Sequence, residues 1–333
     1  MLKRLQGQSF TGGLILTAFL GWFLRDIPPP VSGKLLVEVS VFTIFLLHGW
    51  ALPANELGRG LLQWRHHGFV LSWNFCWAPL LALPLLLLPP SVLPRDMVLG
   101  LVFLSFLPTT VSSAAALTGA CGGRVSTALF ASTTSNLIGI LIVPVFWVML
   151  LATTTESPPL LPFFLKISLI ILLPVLLGQA TRILFRAPAK ESHRSLRRST
   201  QSLILVIVFL AFRDSFASDI WGQLTIGSLL LGLFITALLL FLYTALVWVS
   251  ATRLFADPAT RVSAFFCASQ KTLAAGAPMA GSLVAASPEA AGMPDLSLFL
   301  LPLVAYHALQ LMVSGLLVPL FSRWLQPNPA SAA

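Results

Sequence analysis

What most restricts this chain is that its apolar residues come in runs of about twenty. Crossing some 30 Å of hydrocarbon takes about 20 helical residues at about 1.5 Å each. The sequence offers ten such runs, near residues 8–26, 35–57, 67–89, 97–119, 124–152, 158–184, 199–221, 226–250, 260–287 and 296–322. With 57% hydrophobic and only 9% charged residues among 333, the composition excludes an ordinary soluble domain. Backbone polar groups in a bilayer need partners inside their own segment, so the runs are expected to be helices. The fold class predicted is an all-α polytopic membrane protein of ten transmembrane helices, with residues 1–333 as a single membrane domain. The partner it requires is the lipid bilayer.

Charge agrees with this reading. The net charge of +9 lies in short loops rather than on a soluble surface, so nucleic acid is excluded as a partner. Every second loop is basic: Arg65, Arg124, Arg198, Arg253, Arg261 and Arg323 fall on one side, against Arg25, Lys34 and Arg95 on the other. By the positive-inside rule both termini are expected to be cytoplasmic, in a plasma or bacterial inner membrane. Lys3 and Arg4 precede an apolar run that Arg25 and Asp26 close without a small-residue cleavage site, which reads as a retained first helix. Cys76, Cys121 and Cys267 have no metal-ligand spacing, and no nucleophile, base and acid set is present. The chain reads as neither an enzyme nor a cofactor protein.

Within the ninth run stands Lys271. A lysine at mid-bilayer costs roughly 2.5–3.5 kcal/mol and marks a partner or a water-filled path, unless it snorkels from a misplaced helix end. The small residues Ala274, Ala275, Gly276, Ala277 and Pro278 follow it, as suits a helix interrupted at depth. The second half of the chain, laid on the first with an offset of about 164, sets Leu107, Pro108, Thr109 and Thr110 opposite Lys271, Thr272, Leu273 and Ala274. Pro108 breaks helical bonding, and the hydroxyls of Thr109, Thr110, Ser112 and Ser113 can satisfy freed groups or coordinate an ion; the plainer reading is a proline kink. Five runs per half is odd, so the copies, approximately 1–155 and 156–325, are expected to be inverted repeats with a site at their interface.

These stretches are identifiable. The residues from Leu107 to Ala114, with Gly122 and Gly123 downstream, and those from Cys267 to Leu273, with Gly276, Pro278 and Met279, resemble the bile acid:sodium symporter family and look most like its divergent branch of bile-acid-symporter-like proteins. The resemblance covers nearly the whole chain. It implies a panel (segments 1, 2, 6 and 7), a core (segments 3, 4, 5, 8, 9 and 10), broken segments 4 and 9 that cross, and an organic anion carried between panel and core by alternating access. It also implies two sodium ions behind the crossing. Substrate-binding candidates on this reading are Thr109, Thr110, Ser112, Gln270, Lys271 and Thr272, with Arg213 from the panel. Ion-binding candidates are Asn74, Ser112, Ser113, Ser132 (with its neighbours Thr133 and Thr134), Ser269 and Gln270.

The carry-over is incomplete. The family's acidic ligand falls on Phe266, and the Asn after its Gln is replaced by Lys271. Sodium favours oxygen ligands, preferably with a carboxylate, so it is expected to bind poorly beside a fixed cation. Lys271 is expected to take the cationic role, or to couple transport to protons. The expected function is a secondary active transporter of a small organic anion; the alternative is a non-transporting membrane regulator of ion homeostasis on the same fold. Lesser candidates are the Arg213–Asp214 pair, His48, Glu56, His307 and Asn136. Trp64, Trp73, Trp77, Trp147, Trp221 and Trp324 are expected in interfacial belts.

Overall fold

A computed structural model describes residues 2–27, 32–51, 63–152, 160–185, 193–218, 224–286 and 294–325. Glu56 and Trp221 lie outside the described residues. Among those described the regular structure is helical throughout: α1 (Leu2–Phe23), α2 (Gly33–Ala51), α3 (Trp64–Ser72), α4 (Ala78–Ala82), α5 (Arg95–Phe106), α6 (Val111–Ala120), α7 (Val125–Ala152), α8 (Leu160–Leu184), α9 (His193–Phe216), α10 (Ile226–Leu254), α11 (Pro258–Ser269), α12 (Leu273–Ala286) and α13 (Leu296–Leu325). Six of these runs are long and apolar enough to cross a membrane, or seven if the bent pair α5 and α6 is one span. The chain is therefore a multi-pass membrane protein.

Two spans depart from a plain helix for local reasons. Between α3 and α4 the helix widens into a π turn, Trp73–Trp77; Pro79 follows, and a proline can offer no N–H to a carbonyl in the preceding turn. Between α5 and α6 the axis bends by 59°. Pro108 forces the residue before it away from helical angles, and Leu107 is extended, at φ −70° and ψ 145°. Thr110 is extended too, and α6 restarts after it. The ninth expected span is likewise two helices, with Gln270 extended after α11 and α12 beginning at Leu273.

The helices pack most extensively in a few pairs. Helix α2 lies along α8 and α9, and α1 along α9, whereas α5 packs on α13, α6 on α7, and α10 on α11. Close approaches rest on glycines: a Cβ on Gly49 would lie 2.0 Å from the Val175 carbonyl oxygen, and one on Gly100 would lie 2.2 Å from that of Phe299. The second helices of the two broken spans are packed differently. Helix α12 is wedged against α2, α8 and α9, while α6 packs on α7, α11 and α13 and leaves Ser112, Ala116 and Ala120 exposed.

Two expected belt residues lie elsewhere. Trp147 is 2% exposed, edge-on to Phe103 and Phe299. Trp73 is buried with its indole N–H on Ser250 Oγ at 3.1 Å. Both rings complete interhelical packing that sequence position alone does not reveal. Trp64, Trp77 and Trp324 are exposed.

Candidate functional site

The two breaks touch. The Thr272 N–H donates to the Pro108 carbonyl at 2.9 Å, so each interrupted helix supplies a partner to the other. Gly139 of α7 permits this, since a Cβ there would stand 2.8 Å from Pro108 Cγ. The Asn136 amide steadies the first break by donating to the Thr109 carbonyl at 2.7 Å.

Lys271 is fully buried. Its Nζ donates to the carbonyl oxygens of Ser105 at 2.7 Å, Leu107 at 3.0 Å and Asn74 at 3.2 Å. Each acceptor is a carbonyl its own helix cannot satisfy. Ser105 and Leu107 stand where α5 runs out, at the negative end of its dipole. Asn74 sits in the π turn five residues before Pro79, where an i→i+5 partner would have been. The three acceptors match in number the three N–H groups of an ammonium. Among the described residues no carboxylate forms a salt bridge with it.

The second break is held by α13. The Gln310 side chain accepts from Lys271 N–H and donates to Lys271 C=O, both at 2.8 Å, and it also donates to His307 Nδ1 at 3.0 Å. Tyr306 OH donates to the Ser269 carbonyl at 2.9 Å. Gln270 Oε1 accepts from Ser113 Oγ at 2.8 Å and from Thr110 Oγ1, its amide donates to Ser314 Oγ at 3.3 Å, and Thr110 and Ser113 hydroxyls also meet.

The expected residues thus fall into several environments. Thr109, Thr110, Gln270, Lys271 and Thr272 gather at the contact of the breaks and are buried. Ser113 joins them through Gln270, whereas its neighbour Ser112 is exposed on the bare side of α6. Asn74 bonds Ser135 at 3.0 Å and presents its carbonyl to Lys271. Ser132 meets Cys267 Sγ at 3.5 Å, Thr133 bonds Leu129 C=O, and Ser269 Oγ bonds the Phe265 carbonyl of its own helix at 2.7 Å. Arg213 lies apart, ion-paired with Asp214 at 2.7 Å. Next to that pair, Ser215 of α9 donates to Asp295, at the head of α13, at 3.0 Å. Sequence reading missed Gln310 and Ser314. With His307 they recur at spacings of three and four along α13, a polar helical stripe that periodicity could have exposed.

Comparison with known proteins places the chain among relatives. The model of the SBF-like CPA transporter family matches residues 8–323. The uncharacterized protein PA2026 of Pseudomonas aeruginosa is 33% identical, over 95% of this chain and 93% of its own length. Sodium/bile acid cotransporter 7 of Rattus norvegicus is 29% identical over 89% and 86%, and its namesake in Xenopus tropicalis 27% identical over 98% and 94%.

Proposed function

Because this chain belongs to the SBF-like CPA transporter family, a family of transporters and not of enzymes, we propose that it carries a small organic anion across the membrane with Lys271 as its built-in cation. The three carbonyls around Lys271 Nζ carry this reading. Such a set of oxygens is what a monovalent metal ion seeks at broken helices, and here a side chain fills it. Of the side chains expected to hold sodium, Ser113 donates to Gln270 and Ser269 to the Phe265 carbonyl, while Asn74 gives its amide to Ser135 and keeps a buried Oδ1 without a partner. With Phe266 where the resemblance implies a carboxylate, the set lacks the anionic ligand that would offset a sodium ion beside Lys271.

The anion is assigned to the crossing. Thr110 precedes α6 without a side-chain cap, so the first N–H groups of α6 and the exposed Ser112 hydroxyl suit a carboxylate, sulfate or phosphate. Thr109, Thr110, Gln270 and Thr272 shape the floor beneath it, and Lys271 offsets its charge from below. On this reading Arg213 steadies the closed side rather than the substrate. The ten helical runs form two inverted repeats, approximately 1–155 and 156–325. Helices α1, α2, α8 and α9 make the panel and rock against the rest. The packing of α12 against the panel and the bare face of α6 correspond to closure on the side away from the basic loops, and to access from the basic, cytoplasmic side. Such a one-sided opening favours transport over the non-transporting alternative.

The test is a thermal-shift screen of the purified protein in detergent against carboxylates, sulfates and sulfonates, bile acids included, with and without sodium, repeated on Lys271→Ala. Ligands that bind the folded state raise the midpoint by mass action. Stabilisation by an anion, equal with and without sodium and lost in Lys271→Ala, is the expected result. Strict dependence on sodium in the unaltered protein would show that the oxygens behind the crossing still bind the ion, and Lys271 would lose its role.

A further inference from the structure

A polar cavity separate from the crossing lies on the basic side of the molecule. It encloses about 450 Å³ between the start of α3, the end of α10 and the segments leading into α7 and α11, and its polar lining is Gln63, Arg65, His66, Arg124, Asp257 and Thr260. We propose that this cavity binds a phosphate group, presented either by an anionic lipid of the facing leaflet or by a soluble phosphate.

Charge and donors both favour an anion there. Arg65 is exposed and stacks its guanidinium 5.5 Å from the Trp64 ring, an arrangement suited to the level of the headgroups. Arg124 gives its Nε to Asp257 at 2.8 Å. Asp257 Oδ2 also accepts the Thr260 N–H at 3.1 Å and the Thr260 hydroxyl. That carboxylate is thus neutralised and capped onto α11, while the terminal nitrogens of Arg124 carry the donors phosphate prefers. The start of α3 has no side-chain cap at Gln63, so its first N–H groups add positive partial charge.

The independent sign of a ligand is His66. It lines this cavity, is only 2% exposed, and its Nδ1 has no partner, whereas Nε2 meets Ser263 Oγ at 3.1 Å. The Ser263 hydroxyl has no other acceptor among the described residues, so its satisfaction requires donation to Nε2, which leaves the ring's proton on Nδ1 as a buried donor awaiting an acceptor. A buried donor of this kind ordinarily has a partner, and a phosphate oxygen bound among Arg65, Arg124 and the α3 terminus supplies one.

The experiment follows the melting midpoint of the full chain in detergent while phosphatidylglycerol, phosphatidylcholine or inorganic phosphate is added. It is made on the unaltered protein, on Arg65→Ala, on His66→Phe, and on Arg323→Ala as an exposed basic control outside the cavity. The expected result is a rise with phosphatidylglycerol and not with phosphatidylcholine, with half-saturation shifted about tenfold in Arg65→Ala and unmoved in Arg323→Ala. Inorganic phosphate reproducing that rise identifies the soluble group as the source; its failure identifies the lipid. Arg65 is exposed, so its variant keeps the test open if His66→Phe fails to fold. No anion-dependent rise, or the same loss in Arg65→Ala and Arg323→Ala, would overturn the site.

Discussion

At residues 107–110 the chain leaves its helix because a proline compels it, whereas residues 270–272 contain no proline and are held open by side chains from elsewhere. The first break is written in the backbone and yields carbonyls: Pro108 receives Thr272, while Ser105 and Leu107 receive Lys271. The second break is written in side chains and yields donors, with Gln310 standing in for the missing helical partners of Lys271. Two interruptions of similar length thus place their vulnerability differently. A substitution near the first leaves its acceptors in place, since every residue has a carbonyl. A substitution at Lys271 removes the ammonium that meets Ser105 and Leu107, while the Thr272 N–H stays on Pro108.

The sharpest way to break this comparison is Lys271→Met against Pro108→Ala. Lys271→Met leaves three buried carbonyls without their donor, at about 1–3 kcal/mol each, and is expected to lower the melting midpoint most and to abolish anion stabilisation. Pro108→Ala keeps all the carbonyls and is expected to cost clearly less; an equal or larger loss would reverse the assignment of the two breaks. Next comes Gln310→Ala, which strands the N–H and C=O of Lys271 for about 2–4 kcal/mol in all, read as a lower midpoint with Lys271 still present. Gly139→Ala presses on Pro108 from α7 and is expected to cost about 1–3 kcal/mol, with a matching loss of anion affinity if the crossing is displaced.

The smallest effect lies at the rim. The Thr260 hydroxyl first, and Arg124 after it, hold the Asp257 carboxyl below its ordinary value. A carboxylate with a depressed folded pKa contributes stability that is fully present above its unfolded value, near 4, and lost as pH falls through the lower folded value. Asp257→Asn is therefore expected to lower the midpoint slightly at neutral pH, where the charged carboxylate contributes, and to converge with the unaltered protein below about pH 4. Melting curves across that range measure it.

Much of this was legible in the sequence, and the rest was hidden for definite reasons. Pro108 and Lys271 announced the two breaks because one removes an N–H and the other places a charge in an apolar run. The Asn74 to Pro79 spacing was visible too, yet its meaning was not: it frees a backbone carbonyl, and carbonyls have no side-chain signature. The partners of Lys271 were invisible for the same reason, which is why an anionic substrate was the only counter-charge a reading of side chains could offer it. Ser112 and Ser113 are adjacent in sequence but face different surroundings, a distinction set by where α6 restarts after its break. Trp73 and Trp147 follow their helices into interhelical packing that hydropathy does not resolve.

The lysine at the crossing has a consequence for the energetics of transport. A sodium ion arrives from one side and departs on the other, and its fall down a gradient is the work that drives a symporter. A charge bonded to the chain returns to its starting point with every cycle. On the proposed reading each monovalent anion then crosses with no companion, so one net negative charge moves per turnover. An inside-negative potential of 100 mV favours exit of that charge by roughly 2.3 kcal/mol, about a fiftyfold concentration ratio at equilibrium. With its cation on a side chain, the carrier would take its direction from membrane voltage.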